Sequence, residues 1–192
     1  MEKDRLLAFS DGVIAIIITI MVLELRPPHE PNWPALLHIA PTFLSYLLSF
    51  VYVAIYWNNH HHMMATAERV NGAILWANMH LLFWLSLVPF TTAWMGETHS
   101  APLPTVVYGV SLLTPAIAFL ILQTTIVRAH GADHVLARAL GDDWKGKLSP
   151  LLYLVGIGLA FANPHLGQAI FVVVALIWLV PDRRIEREIA AK

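Results

Sequence analysis

The acidic and basic residues of this chain fall in short clusters, and the long stretches between them decide its fold class. Asp, Glu, Lys and Arg are all absent from residues 31–67, 70–96, 98–127 and 148–181. A bilayer hydrocarbon core of about 30 Å takes roughly 20 apolar residues in a helix. Each of the first three gaps accommodates one span. The fourth is longer and is interrupted at Asn163-Pro164-His165, with Gly167 just after, which reads as a turn between two short helices. One more apolar run, Leu6 to Leu25, opens the chain, interrupted by Ser10, Asp11, Gly12, Thr19 and Glu24.

The expected fold is therefore all-α: a single integral-membrane domain over residues 1–192 with six transmembrane helices. Their approximate bounds are 6–25, 35–57, 72–94, 105–127, 148–162 and 166–181. The last two are short for a full crossing, and a tilted hairpin or a re-entrant pair fits them equally. Residues 26–34 form a Pro-rich loop, 95–104 a short one, and 128–147 the one sizeable polar arm.

Basic residues orient the spans. With the N-terminus inside, the inner segments hold Lys3, Arg5, Arg69, Arg128, Arg138, Lys145, Lys147, Arg183, Arg184, Arg187 and Lys192, and the outer segments only Arg26. That asymmetry places both termini in the cytoplasm of a cell-membrane protein, and an even number of spans follows. The first span is too long for a cleaved signal peptide and runs into Arg26-Pro27-Pro28, so it is expected to persist as a helix. Trp33, Trp57, Trp94, Trp144 and Trp178 fall near expected helix ends, as aromatic-belt residues do.

Composition closes other routes. The chain is 57% hydrophobic and 13% charged, about half the charge of a soluble domain. With no cysteine there is no disulfide scaffold, zinc–cysteine site, iron–sulfur cluster or thiol nucleophile. A net charge of -1 offers no bulk attraction to nucleic acid.

The first span differs from the others. At 100° per residue, Phe9, Val13, Ile16, Thr19, Ile20 and Leu23 form one stripe. Asp11, about 9 Å of helix rise beyond Arg5, points roughly 140° away from Ile16, and Ser10 about 120°. An apolar stripe ordinarily packs against lipid or another helix. An intramembrane carboxylate is costly and marks a functional position that needs partners. The run Asn58-Asn59-His60-His61-His62 follows the second span on the same side. Its first members reach the level of Asp11, and an Asp–His contact there would tie helices one and two and give their packing a pH sensitivity. A metal site on the three histidines is disfavoured, because consecutive helical residues diverge by 100°. Asn78 and His80, inside the third span, read as interhelical hydrogen-bonding groups.

The stretch Arg5-Leu-Leu-Ala-Phe9-Ser10-Asp11-Gly-Val-Ile-Ala15-Ile16-Ile-Ile-Thr19 resembles the Phe-Ser-Asp signature of the transmembrane protein 175 family of potassium channels, in its short prokaryotic form. Tyr56-Trp57-Asn58-Asn59-His60-His61, Asn78 and Pro89-Phe90-Thr91-Thr92 are similar to the same family. The resemblance is specific over about the first half of the chain. It implies a homotetramer whose first helices line a central cation pore, without the filter of ordinary potassium channels. Ile16, Ile20 and Leu23 would form the apolar constriction and Thr19 the hydroxyl layer that sets ion preference. Arg5, Phe9, Ser10, Asp11 and His60 would form a structural and gating network. Gly12 and Met21 depart mildly from the family's usual residues, and His62 has no role in it.

The expected function is passive conduction of K+, with other monovalent cations as possible permeants, and with no cofactor, no resident metal and membrane lipid as surroundings. An apolar ring gates by dewetting, and a ring of hydroxyls replaces part of an ion's hydration shell. Two other readings stand beside it: a secondary transporter, and a membrane-embedded enzyme using Asp11 and His60–His62. No internal repeat supports the first. No His-Glu-x-x-His, Gly-x-Ser-x-Gly or paired carboxylate in one span supports the second, so the chain is read as a non-enzyme.

Overall fold

The computed structural model describes residues 2–131, 134–140 and 143–179. These are predominantly helical, with no strand among them. In chain order the helices are α1 (Lys3–Leu23), α2 (Trp33–His38), α3 (Ala40–Thr66), α4 (Gly72–Leu85), α5 (Val88–Glu97), α6 (Pro102–His130), α7 (Val135–Leu140), α8 (Trp144–Ala162) and α9 (Pro164–Leu179). Four stretches are long and apolar enough to cross a membrane: Lys3–Leu23, Ala40–Thr66, Gly72–Glu97 and Pro102–His130. α9 is apolar but has 16 residues, about 24 Å of rise.

Each expected span coincides with helix, but three boundaries move for identifiable reasons. The second span begins as a separate α2, capped by the Asn32 side chain, which accepts from the Ala35 N–H at 2.9 Å. The chain then bends at Ile39, because Pro41 has no N–H to return to Leu37. Beyond residue 57 the helix does not stop but runs on to Thr66. Asn59 Nδ2 turns back onto the Ile55 carbonyl at 2.8 Å, so its amide is satisfied within the helix. The third span divides into α4 and α5 at Ser86–Leu87, since Pro89 likewise withholds an N–H. The expected sixth span ended at residue 181, and residues 180 and 181 lie outside the described part. So do Arg183, Arg184, Arg187 and Lys192. Part of the polar arm is helical, as α7.

Contacts at the two ends fix how the helices run. Lys3 Nζ donates to the Ala65 carbonyl at 3.0 Å, so the start of α1 and the end of α3 share one end. His130 Nε2, at the end of α6, accepts from the Glu68 and Arg69 amides at 3.2 and 3.4 Å, adding the start of α4 to that end. At the other end Gln168 of α9 bonds Ser100, at the start of α6.

Two apolar clusters fill the interior. The first joins Leu6, Ile14, Ile17 and Met21 of α1 to Val53, Met63 and Met64 of α3, Leu81 and Leu85 of α4, and Leu122 and Ile126 of α6. The second centres on Tyr52, Tyr108, Tyr153 and Phe171. Hydroxyls cross between α3, α5 and α6. Ser49 bonds Thr92 at 2.7 Å and Tyr108 at 2.9 Å, and Thr91 bonds Ser111 at 2.8 Å. Such pairs hold apolar helices together where burial against lipid contributes little. α8 and α9 pack tightly at Gly167, where a Cβ would stand 2.8 Å from the Gly156 carbonyl oxygen and 2.7 Å from Ala160 Cβ.

Candidate functional site

α1 presents two different faces. Leu6, Ser10, Ile14, Ile17 and Met21 are buried against α3, α4 and α6. The i, i+3, i+4 and i+7 spacing of these residues makes them one side of a helix. The other side is largely exposed in the single chain: Phe9, Ile16, Ile20 and Leu23 are 53, 59, 43 and 73% exposed, and Thr19 is exposed among them. Val13, which the stripe also included, is half-buried and packs on the core instead. Thr19 Oγ1 donates to the Ala15 carbonyl at 2.9 Å. With its proton so engaged, the hydroxyl oxygen turns lone pairs outward.

Between the two faces a polar brace fixes the helix. Asn78, buried on α4, donates from Nδ2 to Ser10 Oγ at 2.9 Å, and its Oδ1 lies 2.7 Å from His60 Nε2. Ser10 in turn donates to the Leu6 carbonyl at 2.9 Å. Because Asn78 Oδ1 is an acceptor only, His60 must donate from Nε2, and the chain of bonds runs one way from α3 through α4 to α1. His60 Nδ1 is buried with no partner among the described residues.

The expected Asp–His pairing is not a hydrogen bond between Asp11 and His60, whose Nε2 goes to Asn78. Asp11 is exposed, and its Oδ1 accepts instead from Trp57 Nε1 at 3.0 Å. The reason is the extra length of α3. Trp57 and His60 stand three residues apart on a continuing helix, so His60 enters the core while Trp57 reaches round to Asp11. Ser10 and Asp11, both directed away from the stripe, make different contacts. Arg5 is exposed and takes no part in these bonds. Trp57 thus lies inside α3 rather than at its end, and is a partner of Asp11.

The remaining histidines disperse. His61 is exposed and stacks on Trp57 at 5.9 Å between ring centres, and His62 meets His61 edge-on at 5.6 Å. His80 accepts from Trp84 Nε1 at 2.8 Å, one turn along its own helix. Among the described residues no three His, Asp or Glu side chains converge as a metal site. Near its C-terminal end α1 borders an open cleft of about 500 Å³, lined by Ile20 and Glu24 with Pro89, Phe90, Trp94 and Glu97 of α5 among others. The hydroxyl ladder of α3, α5 and α6 was not foreseen; Ser and Thr inside apolar runs were its only signal.

An all-helical chain with several membrane-length apolar helices, whose first helix is braced on one side and bare on the other, defines a multi-pass membrane protein built around that helix. The comparisons with known proteins agree. A family model described as "Endosomal/lysosomal potassium channel TMEM175" matches residues 5–89, which contain α1, Trp57, His60 and Asn78. A protein of Chryseobacterium sp. (strain P1-3), named a potassium channel, is 51% identical over 189 residues, 98% of each chain. One from Streptomyces collinus, also named a potassium channel, is 31% identical over 91% of this chain and 90% of its own. The crystal structure of a lysosomal potassium-selective channel TMEM175 homolog from Chamaesiphon minutus superposes with a TM-score of 0.82 at 30% identity, covering 94% of this chain and 98% of that one. The chain belongs to the TMEM175 family.

Proposed function

We propose that this protein is a potassium channel of the cell membrane, a homotetramer of six-span subunits with both termini cytoplasmic and a central pore lined by α1. The observation that carries this reading is the bare face of α1. Ile16, Thr19, Ile20 and Leu23 face away from the rest of the chain while the opposite side of the same helix is packed and hydrogen-bonded. Relatives similar over almost the whole chain are named potassium channels.

In this reading, four copies of Ile16, Ile20 and Leu23 make apolar rings that exclude water and set the gate. Thr19 lies between them, with its proton donated to Ala15, so its oxygen is free to meet a dehydrated cation. Ser10, Asn78 and His60, with the Asp11–Trp57 bond beside them, hold α1 in register as a structural network, and neither Arg5 nor Phe9 contacts the permeant ion. The open cleft beside Ile20 suits a neighbouring subunit. The orientation rests on the one-sided placement of Lys and Arg.

Flux from liposomes tests the proposal. Purified protein should release potassium down a gradient faster than sodium in a matched gradient, and faster than empty liposomes. Equal, empty-liposome rates from folded oligomeric protein would refute it. Transporter and enzyme readings find no support in the site, where Asp11 accepts from Trp57, His61 stacks on that Trp57, and His60 is tied to Asn78.

A further inference from the structure

At the end of the bundle away from Lys3 and His130, two imidazoles from different segments face each other. His38 closes α2, and His99 lies in the turn between α5 and α6. Their ring centres are 5.6 Å apart and their planes are inclined by 53°, so they lie side by side without stacking. Both side chains are exposed, and neither ring is hydrogen-bonded to any described residue. All four nitrogens are therefore available.

The backbone holds His99 there at a cost. Ser100 N–H bonds the Met95 carbonyl at 3.0 Å and His99 N–H the Gly96 carbonyl at 3.3 Å, the paired bonds of a Schellman helix end. His99 occupies the left-handed position of that motif, at φ 50°, where glycine is favoured. Ser100 follows at φ 62° and is bonded by Gln168 of α9. The His38 side is equally fixed. Gly96 lies so close to α3 that a Cβ would stand 2.8 Å from Thr42 Cα, four residues after His38. Two rings on rigid supports, one at a backbone position that favours a different residue, mark a place where function has overridden local preference.

We propose that His38 and His99 form a two-histidine site for a borderline divalent transition-metal ion such as Zn2+, with water completing its coordination. The geometry carries it: an ion bonding two imidazole nitrogens at about 2.0–2.1 Å with a tetrahedral angle sets ring centres roughly 5 Å apart. Neutral imidazole suits Zn2+ and its neighbours and discriminates against Mg2+ and Ca2+. The bound ion would bridge the α2–α3 bend to the end of α5, the helix that lines the cleft beside α1. The site stands independently of the ion-conduction reading.

The test is tag-free full-length protein in detergent, titrated with ZnCl2 and followed by calorimetry and by thermal unfolding. One Zn2+ per chain should bind and raise the unfolding midpoint, since a ligand of the folded state stabilises it by mass action. His38→Ala and His99→Gly should each weaken Zn2+ binding roughly tenfold or more, given the cost of disturbing a metal shell. His61→Ala should leave it unchanged. In EDTA, His99→Gly should unfold at or above the wild-type midpoint, because glycine relieves the left-handed residue. No Zn2+ response in the wild type, or a wild-type response in both ligand variants, would overturn the site. A clear fall in the EDTA midpoint of His99→Gly would overturn the placement of His99 on which it depends.

Discussion

Asn78 Nδ2 lies 2.9 Å from the Ser10 hydroxyl, both side chains fully buried, and this one bond joins α4 to the packed side of α1. Through its other atom the same amide takes the His60 donor at 2.7 Å, so a single side chain satisfies polar groups from two other helices. Asn78→Leu keeps the volume but strands the His60 ring and removes the Ser10 donor. It should cost about 1–3 kcal/mol, the penalty for leaving buried polar groups unpaired. At about 2–4 °C per kcal/mol for a chain of this size, thermal unfolding in detergent will resolve it. Ser10→Ala combined with Asn78→Leu should cost less than the sum of the two single variants.

The Asp11–Trp57 bond is at the surface of the single chain, so its removal should be mild for the subunit and larger for assembly. Trp57→Phe and Asp11→Asn should each lower subunit stability by about 1 kcal/mol or less. Asp11→Ala should reduce the tetramer fraction in size-exclusion chromatography with light scattering while leaving ion preference intact. A normal tetramer with shifted preference would remove Asp11 from the bracing role.

Thr19→Val keeps the shape of the side chain and deletes its oxygen. In liposomes or bilayers it should bring the potassium and sodium permeabilities closer together while conduction persists, since the apolar rings remain. An unchanged reversal potential under bi-ionic conditions would take Thr19 out of the ion path.

Glycines of α8 and α9 divide into required and dispensable. Gly167→Ala would press a Cβ against the Gly156 carbonyl and Ala160, which cannot swing away, and should destabilise by about 1–3 kcal/mol. Gly158 has open space around it, and Gly158→Ala should be neutral or stabilising, by up to about 1 kcal/mol from helix propensity. Paired melting curves of the two variants check the α8–α9 packing.

The helix positions were legible because a bilayer demands long charge-free runs, and the gaps in Asp, Glu, Lys and Arg show where those runs lie. The bare face of α1 was legible for a similar reason: Ile16, Thr19, Ile20 and Leu23 recur at helical spacing, and four of the stripe's six residues are large apolar side chains exposed in the chain. Its partners were not. Periodicity gives the direction of Asp11 on its own helix but not the register of the helix beside it, so Trp57 could not be distinguished from His60. The polar run Asn58–His62 was placed beyond the second span, whereas it continues α3, with Asn59 bonded within the helix and His60 across the bundle. The division at Ser86–Leu87 was hidden in an uncharged stretch whose only mark is Pro89.

The central claim is that α1 lines the ion path with its exposed face, and the absence of cysteine from the chain permits a direct measurement. Ile17→Cys, Ile20→Cys and Leu23→Cys variants, introduced one at a time, can be treated with a charged thiol reagent while potassium flux is followed in liposomes. Ile17 is buried against the core and should be unaffected, whereas Ile20→Cys and Leu23→Cys should be blocked by the reagent. Block at Ile17→Cys with none at Ile20→Cys or Leu23→Cys would contradict the account and put the ion path elsewhere.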